Sequence, residues 1–382
     1  MKAATIVFGA TDFGAPQFSA DILWKTGFRA PDPFWMIDAG NETALLVSPL
    51  EYERARKEAR TDKVLNGGSW PQNPEKSSLE GIVAMLQDMH ITHLRVPADF
   101  PYGTAKKLER RFALRSESSL LYPERARKKD WEIDEMEKVQ RAAEAALAKV
   151  MTFLSECTIR DTFVMREGDA VTSELLRSMI HQDLFAGGFH SLDTIVASGP
   201  HAADPHARGE GPIRAREPLV IDIFPVSAAT HYYADMTRTF FKGEPLPEYQ
   251  RMYEAVLRAE EAAEAEVRAG ADGRELQKMV ERIFIESGYP TSIKEDSAQG
   301  FMHALGHGVG ILLHEPPTIG PRGGVLEKGN VITVEPGLYY QGKEFAFPRC
   351  GIRIEDMLLV EKNGSRNLTR FPKKFEDIVG RC

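Results

Sequence analysis

Leu219-Val220-Ile221-Asp222-Ile223-Phe224 carries a single acid inside an apolar run, and Ala234-Asp235-Met236-Thr237-Arg238-Thr239-Phe240-Phe241 repeats the pattern a short connection later. Short runs rich in β-branched and aromatic residues predict two neighbouring strands. A carboxylate within such a strand is costly unless it is paired or holds a metal ion. Adjacent strands bring both carboxylates to one spot. Either acid taken alone is explained by a turn or by a salt bridge, for example Asp235 with Arg238.

Further along, His303-Ala304-Leu305-Gly306-His307-Gly308-Val309-Gly310-Ile311-Leu312-Leu313-His314-Glu315-Pro316-Pro317 sets glycines on both sides of His307. They let the backbone turn sharply and leave room near an imidazole, the commonest nitrogen donor to metals. His314 can face the same cavity, although a glycine-rich turn with incidental histidines accounts for this stretch by itself. Glu335 follows Val331-Ile332-Thr333-Val334, and Glu355 sits in Gly351-Ile352-Arg353-Ile354-Glu355-Asp356-Met357-Leu358-Leu359-Val360. Four carboxylates and one imidazole supply hard oxygen donors with one nitrogen. That set suits two divalent ions bridged by carboxylates better than one tetrahedral structural zinc. Two such ions about 3.5–4 Å apart hold a hydroxide between them, lower its pKa and polarise a carbonyl, which is metal-assisted hydrolysis. Phosphoester cleavage fits the same donors, but the chain has no P-loop and no phosphate-cradling glycine pattern.

The rest of the chain gives these strands a setting. At 382 residues it has room for two or three domains, and 42% hydrophobic with 27% charged residues is ordinary globular usage. A net charge of -8 with no long basic tract argues against nucleic acid and anionic membrane surfaces as partners. Uncharged apolar stretches fall far short of a bilayer span. Cys157, Cys350 and Cys382 are widely separated with no CxxC pair, which suggests neither a disulfide framework nor a zinc ribbon and fits a reducing compartment. The run Ala3-Ala4-Thr5-Ile6-Val7-Phe8-Gly9-Ala10 reads as a strand or a frayed start in preference to a signal peptide, because it is brief and acidic Asp12 follows at once. A cytoplasmic protein is expected.

In the first third, Phe34-Trp35-Met36-Ile37 and Ala44-Leu45-Leu46-Val47 flank the turn cluster Asp38-Ala39-Gly40-Asn41 and read as a hairpin. Residues 51–60 form a solvated helix face, 79–89 has apolar residues at helical spacing, 93–96 is a strand and 102–112 a helix. The basic cluster Lys106, Lys107, Arg110 and Arg111 reads as the wet side of that helix. Pro123-Glu124-Arg125-Ala126-Arg127-Lys128-Lys129-Asp130, charged and apolar-poor, is the linker, separating domains over 1–124 and 130–382. Beyond it Ile133, Met136, Val139, Ala143, Leu147 and Val150 mark a long amphipathic helix. Two further helices cover about 248–269 and 274–286, each stopping before a glycine. Strand-like runs at 193–197, 219–224, 237–241, 331–334 and 352–360 lie apart from these helices, so the fold class is α+β with a largely antiparallel sheet.

The order Asp222, Asp235, His307, Glu335, Glu355 resembles the five-ligand pattern of the M24 metallopeptidases, which include methionine aminopeptidase, aminopeptidase P and Xaa-Pro dipeptidase (prolidase). The resemblance spans about 130–382. It implies the pita-bread (creatinase/aminopeptidase-like) fold, an antiparallel sheet flanked by two pairs of helices, preceded by a smaller α/β N-terminal domain of the aminopeptidase P and prolidase branch. It further implies Asp222 as a terminal ligand of one metal, Asp235 and Glu355 as bridging ligands, and His307 and Glu335 completing the other. Glu335 would also shuttle a proton to the leaving nitrogen. His206, at the end of Thr194-Ile195-Val196-Ala197-Ser198-Gly199-Pro200-His201-Ala202-Ala203-Asp204-Pro205-His206, matches a substrate-contacting histidine. His314 matches the one that meets the scissile carbonyl, and Arg353 the arginine that organises the site. The branch implies cleavage before proline in short Xaa-Pro peptides, two divalent ions (Mn²⁺ favoured, Co²⁺ or Zn²⁺ also suited) and a homodimer.

Two departures bear on substrate fit. Phe224 stands where the family commonly has glycine, and the interval from Asp222 to Asp235 is two residues longer than usual. Three alternatives share the fold: a dipeptidase without proline preference, a non-catalytic member that binds a partner through the cleft, and a metal-free hydrolase of the creatinase kind. Retention of all five donors argues against a non-catalytic member, which would usually have lost ligands, and against the metal-free kind, because crowded carboxylates without a cation repel strongly.

Overall fold

Strands Phe34–Asp38 and Thr43–Val47 are buried along their whole length, so both faces of their sheet must be covered. The period of two sorts the side chains. Trp35, Ile37 and Leu46 pack with Ile82, Leu86 and Leu108 of helices Ser78–Asp88 and Tyr102–Leu108. Phe34, Met36, Leu45 and Val47 pack on the other side with Ile22 and Ala55 of helices Ala20–Thr26 and Tyr52–Glu58. The sheet is six-stranded and mixed, in the order Lys63–Asn66, Thr43–Val47, Phe34–Asp38, Ala3–Gly9, His93–Pro97, Ala113–Glu117. The helix expected over 102–112 stops at Leu108, and a turn carries the chain on to the buried Phe112. Lys106 and Lys107 on the helix and Arg110 and Arg111 in the turn beyond it are all exposed.

This computed structural model describes residues 2–69, 78–191, 193–295, 297–342, 345 and 347–379. The chain divides into two units, Met1–Arg125 and Ala126–Cys382. The charged segment opened by Pro123 is more than a solvated tether. Within the first unit Arg125 is buried against Asp21 Oδ1 at 2.6 Å, and within the second Lys128 is buried against Glu315 Oε1 at 2.5 Å.

In the second unit helix Asp130–Ser155 buries the stripe Ile133, Met136, Val139, Ala143, Leu147 and Val150. It packs on helix Ser173–Ala186, and Pro247–Glu266 packs on Gly273–Glu286. These two helix pairs flank antiparallel sheets. One is ordered Ile195–Ser198, Leu219–Ile223, Met236–Phe240; another Glu315–Ile319, Gly306–Gly308, Val331–Val334, Asp356–Glu361, Gly364–Asn367; a third ladder joins Gly337–Tyr340 to Cys350–Arg353. The α+β class, with its small N-terminal α/β domain and antiparallel pita-bread domain, is the architecture present. Helix Ser173–Ala186 has no counterpart among the sequence expectations, although Leu176, Ile180 and Leu184 recur at helical spacing behind the capping hydroxyl of Thr172.

The run expected as one strand over 352–360 is two. Cys350–Arg353 pairs with Gly337–Tyr340, and Asp356–Glu361 pairs with Val331–Val334. Between them Glu355 N donates to Thr237 O at 3.1 Å, a third partner. Hydrophobic periodicity cannot register this exchange of partners, because apolar burial continues unbroken through Ile354. Cys157 and Cys350 are free and buried, while Cys382 lies outside the described residues. Among the described residues no helix is long and apolar enough to cross a membrane.

Candidate metal centre

Asp222 sits inside strand Leu219–Ile223, opposite Thr237. Asp235 lies two residues before Thr237, so both acids project from the same side of the hairpin. His307 arrives from another sheet on the short strand Gly306–Gly308. Its flanking glycines serve close approach, not a sharp turn: a Cβ on Gly306 would lie 2.1 Å from Thr333 O, and one on Gly308 2.5 Å from Glu315 O. Glu335 follows the neighbouring strand Val331–Val334, and Glu355 occupies the switch between sheets. All five line one cavity of about 640 Å³, together with His206, His314 and Arg353. His201 does not line it.

Hydrogen bonds fix the donors. His307 N donates to Thr333 Oγ1 at 3.1 Å, and Nδ1 meets Gly308 O at 3.1 Å. A carbonyl only accepts, so Nδ1 carries the proton and the Nε2 lone pair faces the cavity. Nε2 lies 3.3 Å from Glu335 Oε1 and 3.7 Å from Asp235 Oδ2. Thr237 Oγ1 donates to Glu355 Oε2 at 2.7 Å, and Thr333 Oγ1 donates to Glu335 Oε1 at 3.3 Å. Ligand-type atoms of Asp235, His307 and Glu355 all fall within 4.8 Å of one another.

The electrostatics are those of a site short of positive charge. Burial raises the Asp235 carboxyl, and Asp222 and Glu335 push it further. Burial also raises Glu355, with Asp235, Glu335 and Asp222 adding to it. Burial lifts Glu335 to about 8 against the pull of Arg353, with Asp222 adding to the rise. Burial, helped by His314, lowers His307 to about 3, so its ring is a neutral donor. Asp222 Oδ1 is buried and meets no hydrogen-bond donor among the described residues. Crowded oxygens, a neutral imidazole and an unsatisfied carboxylate oxygen together fit divalent cations.

Arg353 is the fixed cation of the site. Its guanidinium donates to Asp222 Oδ2 at 2.5 Å, Thr237 Oγ1 at 3.0 Å, Tyr339 OH at 2.8 Å and Pro205 O at 3.3 Å. Tyr339 OH lies 3.2 Å from His303 Nε2, while His303 Nδ1 meets Ala304 O at 2.8 Å. His303 therefore accepts from Tyr339, and burial with the nearby Arg353 holds its pKa down at about 4. The His314 ring stands edge-on to His307, centroids 4.2 Å apart. His206 is exposed at the cavity, and Phe224 forms part of its wall. The added length between Asp222 and Asp235 is anchored by Val226–Ser227 pairing with Phe189–His190.

Sequence reasoning missed Thr237, Thr333, Tyr339, His303 and Arg238. It offered Arg238 as a salt-bridge partner for Asp235. Arg238 instead pairs with Asp356 Oδ1 at 2.6 Å and donates to Thr237 O and Glu355 O at 2.9 and 2.7 Å, binding the two segments that carry the site. A second acidic group, Glu260, Glu264 and Asp356, has metal-like spacing, but the Lys373 ammonium stands 2.6–2.8 Å from all three. Only the five-donor cluster is left to call for a metal among the acidic groups of the described residues.

The sequence model of metallopeptidase family M24 matches residues 134–362. An Xaa-Pro dipeptidase of Pyrococcus horikoshii is 30% identical over 89% of this chain and 88% of its own. The crystal structure of the prolidase from Pyrococcus horikoshii OT3 superposes with a TM-score of 0.77 at 26% identity, covering 98% of this chain and 95% of that one. An X-Pro aminopeptidase from Thermotoga maritima shares the fold, with a TM-score of 0.78 at 22% identity over 98% and 97% of the two chains.

Proposed function

The chain belongs to metallopeptidase family M24, and from that premise we propose that it is a two-metal exopeptidase cleaving the bond before proline in short Xaa-Pro peptides. The observation that carries this reading is the convergence of Asp235, His307 and Glu355 within 4.8 Å beside the unsatisfied Oδ1 of Asp222. Asp235 and Glu355 would bridge the ions, Asp222 would be terminal on one, and His307 with Glu335 would complete the other. Bound there, divalent ions supply Lewis acidity toward the peptide carbonyl and acidify the attacking water. The proline preference is carried over from the Xaa-Pro dipeptidase of Pyrococcus horikoshii.

The chain's own residues would do the rest. Glu335 takes a proton from the attacking water and hands it to the proline nitrogen as the C–N bond breaks. His314, edge-on to His307, and His206, in the same cavity lining, donate to the carbonyl oxygen as it gains charge. Arg353 is a positioning residue that holds Asp222. The sparse cysteines and the family branch go with a cytoplasmic homodimer, Mn²⁺ being the metal suited to oxygen-rich coordination. The N-terminal unit would be the creatinase-like domain of that branch.

Xaa-Pro dipeptides, Xaa-Pro-Xaa tripeptides and proline-free controls, each assayed with Mn²⁺, Co²⁺ and Zn²⁺, test the reading. Turnover confined to proline peptides and lost on chelation is expected. Equal turnover of the proline-free controls would leave a general dipeptidase.

A further inference from the structure

Lys128, in the charged segment opened by Pro123, is cut off from solvent. Its side chain is 1% exposed, that of Glu315 is 0% exposed, and Lys128 Nζ meets Glu315 Oε1 at 2.5 Å. Burying two charges is costly, and a buried pair seldom adds stability over apolar side chains of similar volume. What such a pair does supply is a fixed place, because neither partner can move away without stranding the other's charge.

Both ends of the pair are tied to the framework of the metal centre. Lys128 N donates to Gly329 O at 2.7 Å, Gly329 N to Val360 O at 2.9 Å and Asn330 Nδ2 to Ala126 O at 3.0 Å. Lys128 is thereby stitched to the segment that leads into Val331–Val334, the strand that Glu335 follows. Glu315 opens strand Glu315–Ile319 and stands opposite Gly308, where the register shifts after His307. Its carboxylate lies against the preceding turn, since a Cβ on Gly310 would be 2.3 Å from Glu315 Oε1. Gly310 O also accepts from Tyr233 N at 2.8 Å, two residues before Asp235. Loop 309–314 is thus pinned at Gly310 and at Glu315. Its last residue is His314, whose ring centroid stands 4.2 Å from that of His307. The chain turns Glu315 inward and His314 out into the cavity.

We propose that Lys128 is a positioning residue for the reaction: by holding Glu315 it fixes where His314 presents its ring to the scissile carbonyl. The inference rests on the role of His314 in the peptidase reading and adds the residue that sets its place. Neither Lys128 nor Glu315 lines the cavity, so neither touches substrate there. A shift of about 1 Å in a group that meets the transition state costs on the order of a hundredfold in rate, even when its cause lies far from the chemistry.

The test sets the paired variant Lys128→Met with Glu315→Leu beside Lys128→Met, because removing both charges strands neither. In the metal-loaded full chain with Ala-Pro, both should lower kcat by about ten- to a hundredfold, with KM within a few-fold and the metal content of the wild type. Adding His314→Ala to the paired variant should leave it within a few-fold of His314→Ala alone, since a residue that acts through His314 then has nothing to position. Losses that multiply overturn the proposal, as does a paired variant with wild-type kcat or one that loses metal along with turnover. Imidazole proton signals of the Zn²⁺-loaded protein give a readout independent of turnover. The His314 signal, identified by its absence from His314→Ala, should shift in the paired variant while the His206 signal holds. An unmoved His314 signal, or equal movement of both, overturns the proposal. A wild type that cleaves no proline peptide with any metal overturns the Xaa-Pro reading instead, and the imidazole signals then decide by themselves whether Lys128 places His314.

Discussion

Replacing Arg353 with methionine should destabilise the metal-free protein far more than the metal-loaded one. The change removes four hydrogen bonds, three of them buried, and the only cation touching Asp222 among the described residues. Asp222 is 8% exposed, and its Oδ1 meets no donor even in the native arrangement. Removing one partner of a buried ion pair costs about 3–5 kcal/mol, because the other charge is left uncompensated. For a unit of this size that is a fall in melting temperature of roughly 6–20 °C. Once divalent ions sit against Asp222, its charge is met from the other side, and what remains is the loss, common to both conditions, of hydrogen bonds to Thr237, Tyr339 and Pro205, about 0.5–1.5 kcal/mol each. Thermal melts followed by circular dichroism, with chelator and with saturating Mn²⁺, read both numbers. Equal shifts in the two conditions would refute the reasoning, since Asp222 would then not be a place where metal and Arg353 share one carboxylate.

Two other outcomes follow from the same geometry. Glu335 is raised by burial from 4.5 to about 8 in the metal-free protein. The folded state therefore holds a proton that the unfolded chain has released, so the Glu335 contribution to stability of the metal-free protein should fall as pH rises from about 4.5 to about 8, while metal binding releases protons across that window. His303 and His307, whose pKa values are lowered, act in the opposite sense, so melts of chelated wild type and Glu335→Gln at pH 5 and pH 8 isolate the Glu335 contribution: the variant should lose less stability, or gain more, between pH 5 and pH 8 than the wild type, and identical pH dependence in the two would contradict it. His314→Ala should lower kcat by about a hundredfold with metal content unchanged. Loss of metal instead would make His314 a ligand.

The sequence is explicit about the donors because each is an acid or imidazole in a setting that otherwise repels charge. Asp222 within Leu219–Ile223 and Glu355 beside Asp356–Glu361 stand out for that reason. The same property makes the strands legible, since alternation and β-branching are local. What holds the donors in place is not local. Thr237, Thr333 and Tyr339 are ordinary strand residues whose hydroxyls matter only because another sheet brings Glu355, Glu335 and Arg353 to them. Arg238 looks in sequence like a partner for Asp235, three positions away. Its real partner is Asp356, more than a hundred residues on, by way of a buried network that ends at Lys373. The break at Glu355 is hidden for a related cause, because burial, which periodicity reports, is continuous where the hydrogen-bond partner changes.

The central claim is that five dispersed donors hold a pair of divalent ions, and counting metal per chain tests it most directly. Protein purified without chelator should carry two ions by elemental analysis, and Asp235→Asn or Glu355→Gln should lose metal together with turnover. Wild-type protein that retains no divalent ion under these conditions, or either variant with full metal content and near-wild-type activity, would contradict the account.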